Sequence, residues 1–291
     1  MILRPSDMDP AAIGRARMLS PWAFGAPLAQ RLPYWLVGTS FVVFTAYCLV
    51  IFEMSPLRLL AGFGKLIEVV GQMFPPSAKG AALDYAYAML QTVAMAFLGT
   101  VIAAVLAVPL GFACARNMVP GWIVRFVFRR SSDVLRGVDQ LVWALIFVRA
   151  VGLGPLAGIL AIIIADTGTL AKLYSEAIEN VDRKPIEGVR ASGANPVQTM
   201  RFGVLPQVLP IMLSNVLYIF ESNTRSATIL GIVGAGGIGF FLADRIRTML
   251  WEEACFILLM ILATVYLIDW ISQRLRARIT GVDGEGVGAR H

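Results

Sequence analysis

Charge is scarce in this sequence. Only 15% of its 291 residues are Asp, Glu, Lys or Arg and 57% are hydrophobic, against about 25% charged and about 45–50% apolar in soluble domains. Histidine is scarcer still. His291 is the one histidine, which excludes a buried histidine base or a histidine-ligated catalytic metal from the apolar body of the chain. Cys48, Cys114 and Cys255 are odd in number, far apart and without a C-x-x-C pair. Zinc binding and dithiol chemistry are therefore excluded, and the three are read as packing residues. A G-x-x-x-x-G-K-[ST] string is also missing, so this chain carries no Walker A phosphate cradle.

What is present is apolar length. Stretches free of Asp, Glu, Lys and Arg cover 32–52, 85–115, 150–165, 202–220 and 254–268, and several reach the roughly 18–20 residues that cross a bilayer. The pattern predicts an all-α integral membrane protein with about six transmembrane helices, at 33–52, 86–113, 137–152, 155–175, 208–232 and 254–272. The third is short, because Asp139 and Arg149 leave nine uncharged residues between them; burial against neighbours can accommodate such a span. The first run follows an arm with Arg4, Arg15, Arg17, Arg31 and four prolines and lacks a small-residue cleavage site. It is read as a retained span.

Basic residues set the orientation, since Lys and Arg are retained on the cytoplasmic side. With both termini inside, 18 of the 25 fall in the arm over 1–31, the segments 114–136 and 172–207, and the end of the chain; six fall opposite, and Arg225 lies in a span. A transmembrane domain is thus expected over 32–279, between a cytoplasmic arm at 1–31 and a disordered, glycine- and charge-rich tail at 280–291. Residues 56–73 are apolar at helical spacing but contain Arg58, Lys65 and Glu68, which predicts an interfacial helix on the outer face.

The segment 176–207 is too polar to cross lipid and carries strong cap signals. Pro185 suits the first position of a short helix, with Glu187 near its positive end. Gly193 suits a left-handed stop, and Asn195, Pro196 and Gln198 supply an N-cap, an N1 proline and a capping-box partner for a second helix. Residues alone leave an ordinary helical hairpin open. The spacing, however, resembles the EAA loop of ATP-binding cassette (ABC) importer permeases: E-A-A, three residues, Gly, nine residues, Ile, any residue, Leu-Pro. Glu187, Gly193, Leu205 and Pro206 stand at those intervals, whereas Gly188, Val189 and Gly203 depart from the pattern. Glu176 does not match, because Asp182 stands where the glycine is needed. The resemblance implies a coupling helix around Ala194 to Arg201 that sits in a groove of a cytoplasmic ATPase.

Within the spans, Glu221 and Arg225 are four residues apart and share a helix face. A charge in the bilayer centre costs at least about 2.5 kcal/mol, so the pair either ties helices together or faces a wet path. Asn223 lies between them, and Asp166 with Thr167 and Thr169 forms another polar site. GAGGIG over 234–239 fits a dinucleotide-binding string, but no strand–helix–strand unit surrounds it. Gly234, Gly236 and Gly237 are read instead as ending or kinking a span beside the pathway.

Over about 141–239, the strings LVWALIFVRAVGLGPLAGILA, RFGVLPQVLP and FESNTRSATILGIVGAGGIG resemble the phosphonate importer permease family. That resemblance implies the type I ABC importer (MetI-like) permease fold in the bacterial inner membrane and a second permease copy, as a homodimer. It also implies a cytoplasmic ABC ATPase dimer carrying ATP and Mg, and a periplasmic substrate-binding protein delivering a phosphonate or related phosphorus oxyanion. No cofactor, metal or nucleic acid is expected on this chain. An ABC permease for another small solute such as methionine remains open, as does an ion-coupled secondary transporter or intramembrane enzyme using Asp166 and Glu221.

Overall fold

A computed structural model describes residues 18, 28–52, 54–118 and 121–280. The expected arm over 1–31 and tail over 280–291 lie almost wholly outside the described residues. Among those described, the regular structure is entirely helical.

Two units divide the chain at Val69. The first holds α1 (Leu28–Ile51) and most of α2 (Pro56–Gln72). Exposed Leu36, Val37 and Phe41 on one side and Trp35, Val42 and Val43 on the other make α1 apolar around its circumference, the composition of a helix that meets lipid. The amphipathic helix expected over 56–73 is present as α2.

The second unit contains α3 (Ala82–Cys114), α4 (Trp122–Gly137), α5 (Gln140–Val151) and α6 (Pro155–Glu179). Two short helices follow, α7 (Arg183–Ala191) and α8 (Pro196–Thr199). A π-turn over Met200–Val204 leads into α9 (Leu205–Leu230), and a second over Gly231–Ala235 ends it. The unit closes with α10 (Ile238–Arg247) and α11 (Trp251–Thr280).

Its centre is the packing of α3 on α6. Small residues make close approach possible: Ala96, Gly99, Ala103, Ala107 and Gly111 recur every three or four positions on α3 and are buried. On α6, Ala157, Ala161, Ala165 and Gly168 do the same. Between lipid-embedded helices dispersion replaces hydrophobic drive, so backbone proximity is what stabilises the contact. A Cβ at Gly99 would stand 2.6 Å from Ile162 Cγ2, so the groove has no room for a side chain. Leu170, Tyr174 and Ile178 of α6 then meet Val208 and Met212 of α9 in the same apolar cluster.

Among the described residues, five helical stretches are long and apolar enough to cross a membrane: Leu32–Ile51, Ala82–Cys114, Pro155–Glu179, Pro196–Ala235 and Trp251–Ile279. The third expected span is α5, only 12 residues long, or about 18 Å at 1.5 Å per residue. It begins later than the expected 137 because Asp139 caps it, accepting a hydrogen bond from the Leu141 amide at 2.8 Å. Residues 122–137, counted from sequence as part of a connecting segment, form the amphipathic helix α4. It lies against α6 at Gly168, where a Cβ would come within 2.7 Å of the Ser132 carbonyl oxygen.

Candidate functional site: a capped coupling segment and a polar membrane cleft

The segment 176–207 folds as two short helices. The first starts earlier than Pro185: Asp182 is its N-cap, accepting from the Lys184 amide at 3.1 Å. Pro185 therefore occupies the third helical position and Glu187 the fifth, away from the positive end. An aspartate side chain outcompeted proline as the start signal, because it satisfies an orphan amide that proline leaves untouched.

The second helix begins as its residues prescribe. Asn195 Oδ1 accepts from the Gln198 amide at 2.8 Å, and Gln198 Oε1 accepts from the Asn195 amide at 2.9 Å. This reciprocal box, with Pro196 at the first position, contributes about 1 kcal/mol. Gly193 links the helices with φ +84°, a left-handed conformation that costs other residues about 1–2 kcal/mol. Ala194 completes the turn, and Arg201 lies in the π-turn, its guanidinium 5.6 Å from the Phe202 ring centroid.

No loop separates this segment from the membrane. Helical structure is continuous over Pro196–Ala235. The Leu205 amide donates to the Met200 carbonyl, five residues back, and Pro206 next to it has no amide to donate. The departure at Gly203 also has a steric account, since a Cβ there would lie 3.2 Å from Ile186 Cα of α7. Gln207, not singled out from sequence, clamps the assembly. Its Oε1 accepts from the Asp182 amide at 3.1 Å, and its Nε2 donates to the carbonyls of Asp182 at 3.3 Å and Gly203 at 2.7 Å.

Further into the helices, Asp166 and Asn223 meet directly, the Asn223 amide donating to Asp166 Oδ2. Gln140 at the start of α5 donates to Asp166 Oδ1 at 3.2 Å and to Asn223 Oδ1 at 3.1 Å. Thr100 of α3 accepts from Asn223 Nδ2 at 2.8 Å. Four helices are thereby joined through a polar network, in surroundings where an unpaired polar group is costly. Gln140 and Thr100 went unnoticed in the sequence, because single uncharged polar residues are ordinary there. A cleft of about 320 Å³ opens beside the network, lined by Asp139, Gln140, Asp166, Ser222, Asn223 and Ser226 among others.

Glu221 and Arg225 pair at 3.2 Å, as their spacing predicts. Arg276 of α11 also bonds Glu221, at 2.8 Å, so this carboxylate ties α9 to α11. Neither Glu221 nor Arg225 lines the cleft beside Asp166; the Arg225 side chain is 52% exposed on a neighbouring face of α9.

The glycine-rich stretch both ends α9 and starts α10. Gly234, Gly236 and Gly237 have φ of +104°, +78° and +71°. The first donors of α10 are satisfied from α3: the Gly237 amide donates to Gln91 Oε1 at 3.1 Å and the Ile238 amide to Thr92 Oγ1 at 2.8 Å. Gly239 fits most tightly, since a Cβ would come 1.8 Å from the Thr228 carbonyl oxygen. Arg245 of α10 then donates to Tyr85 at 3.0 Å and pairs with Glu253 at 2.9 Å, anchoring α3 and α11 at the end opposite the coupling segment.

Long apolar helices packed through small residues, broken at polar and glycine-rich points, define a multi-pass membrane permease. Residues 107–281 match the family described as binding-protein-dependent transport system inner membrane component, and the chain belongs to that family. It is a transport subunit of an inner membrane rather than an enzyme.

Among its relatives is the phosphite transport system permease protein PtxC of Stutzerimonas stutzeri, 39% identical over 82% of this chain and 87% of that protein. The phosphate-import permease protein PhnE of Mycolicibacterium smegmatis is 35% identical over 94% of this chain; the match spans 51% of that longer protein. Inward-facing structures of the MetNI methionine ABC transporter share the fold, with TM-score 0.61 and 21% identity over 70% of this chain and 99% of the matched one. The expected type I permease fold is therefore the fold observed.

Proposed function

We propose that this chain is the membrane subunit of an ATP-driven importer that carries a phosphorus oxyanion, whether phosphonate, phosphite or phosphate, from periplasm to cytoplasm. The supporting observation is mechanical: Glu187, Gly193, Leu205 and Pro206 keep the EAA spacing, and the segment is capped, clamped by Gln207 and helically continuous with α9. A lever built in this way can pass a push from an ATPase to the spans without dissipating it in a loop. The cargo class rests on the phosphite and phosphate permeases among the relatives.

In this reading both termini are cytoplasmic, and a cytoplasmic ATPase dimer holding ATP and Mg engages Ala194, Asn195, Pro196, Gln198 and Arg201. A second permease copy completes the channel, and a periplasmic binding protein delivers the solute. Asp166 and Asn223 gate the cleft, Glu221 and Arg225 stand beside it, and Gly234, Gly236 and Gly237 form the bend through which the span opens.

Reconstitution with the partner ATPase and binding protein tests this directly. Phosphite, methylphosphonate or phosphate should stimulate ATP hydrolysis and accumulate in vesicles, while methionine should do neither. Stimulation by methionine alone, or uptake without an ATPase, overturns the proposal.

A further inference from the structure

Between the Asp166 cleft and the coupling segment lies a second, shallow and open depression, lined by Arg130, Asp133, Arg136, Gly137, Thr169 and Lys172. Asp166, Thr169 and Lys172 are spaced by three residues on α6 and share one face. That face lines both concavities, Asp166 the first and the other two the second.

Three cations line this depression and only one carboxylate, Asp133, lines it with them. Asp133 is shared by Arg130 at 3.1 Å and Arg136 at 3.8 Å. Lys172 has no ion pair among the described residues, although Glu176 lies in the adjoining cleft with it. A positive-inside bias explains basic residues in a connecting segment. It accounts for the presence of these charges but not for their convergence, in which a lysine of α6 and two arginines of α4 line the same hollow. The hollow is also firmly built, since α4 and α6 touch backbone to backbone at Gly168. Thr169 is turned to its own helix, donating to the Ala165 carbonyl at 3.2 Å, which leaves the charged groups to meet a ligand.

We propose that Arg130, Arg136 and Lys172 form an oxyanion-binding vestibule on the coupling-segment side of the membrane cleft. Its ligand is a phosphorus oxyanion: the free anion leaving the pathway or the phosphate of a lipid headgroup. Guanidinium groups suit paired oxygens and an ammonium supplies a compact third charge. Identifying the free anion with the cargo rests on the function proposed above, whereas the site itself does not.

The test uses the permease–ATPase complex in nanodiscs of phosphatidylcholine, with radiolabelled inorganic phosphate as probe. Saturable binding is expected, displaced by phosphite and not by chloride. Arg136→Gln and Lys172→Gln should each weaken it about tenfold, the loss of one charge-assisted contact, and Lys172→Arg should restore it. In nanodiscs containing phosphatidylglycerol, a headgroup occupant would show as anionic lipid retained by the wild type through purification and lost from both Gln variants. Free phosphate binding supports the cargo as the source, and retained lipid supports the headgroup.

Neither signal in the wild type, or signals unchanged in the variants, overturns the vestibule. Wild-type phosphite uptake with unchanged binding in the variants overturns it while the transport reading stands. Phosphate binding without uptake of any phosphorus oxyanion does the reverse.

Discussion

The coupling segment and the Asp166 network achieve rigidity by opposite means. In the coupling segment the capping bonds are local, since Asn195 and Gln198 are three residues apart and Asp182 caps two residues on, and only the Gln207 clamp reaches back 25 residues to Asp182. In the membrane network the partners stand 26, 57 and 123 residues apart. Local bonds fix the shape of one lever and leave it free to move as a body. Bonds between distant helices fix the helices to one another, so a change of pathway has to break or exchange them. A transporter needs both, one part that transmits motion and one that has two arrangements to choose between.

The largest effect expected from a single substitution lies at neither place but beyond both, where α10 packs against the far end of α9. Gly239→Ala puts a methyl 1.8 Å from the Thr228 carbonyl oxygen and should cost about 3 kcal/mol or more. Loss of monodisperse protein after extraction, or a steep fall in Tm, is the expected result; an unchanged Tm would show that the break is soft.

Next comes Asp166→Ala, which removes one acceptor from each of the Gln140 and Asn223 amides, leaving them Asn223 and Thr100 as partners, at a cost of about 1–3 kcal/mol. It should lower Tm in detergent. Removing Asn223 as well should add little further, and full additivity of the two changes would break the picture of one network.

Gly193→Glu forces a side chain into φ +84°, with a local cost of about 1–2 kcal/mol. Its expected signature is functional: ATP hydrolysis persists in the complex while solute uptake falls. Normal uptake by this variant removes the segment from coupling.

Asn195→Ala is the mildest, about 1 kcal/mol of helix stability. Binding-protein-stimulated ATP hydrolysis should drop with little change in Tm, which sharpens the contrast with Asp166→Ala, whose effect is the other way round.

Much of this was legible in order of locality. The apolar runs located five of the six expected helices, the shorter apolar stretch between Asp139 and Arg149 located the sixth, and the Gly193–Gln198 turn could be read almost atom by atom. The helix containing Pro185 could not, because Asp182 and Pro185 both signal a start and only the hydrogen bond to the Lys184 amide decides between them. Helix α4 was hidden by Arg125, Arg129, Arg130 and Arg136, which made residues 114–136 look like a charged loop. Its apolar face, with Trp122, Phe126 and Val134, was the available signal, at helical spacing. The role of Glu221 as a link to Arg276 had no local trace, since 55 residues separate them.

Composition and periodicity alone determined that this chain inhabits a membrane as helices, roughly where its six long apolar helices lie, and how the Gly193–Gln198 turn is built. These properties depend on solvation and on neighbours within one or two turns, both of which are written in the chain order. Tertiary structure decided which polar side chains share a cleft, why Gly239 admits no side chain, and that Lys172 and Arg136 face one hollow. Those depend on which helices meet and at what rotation, and a rotation about a helix axis changes every partner without changing a single local preference.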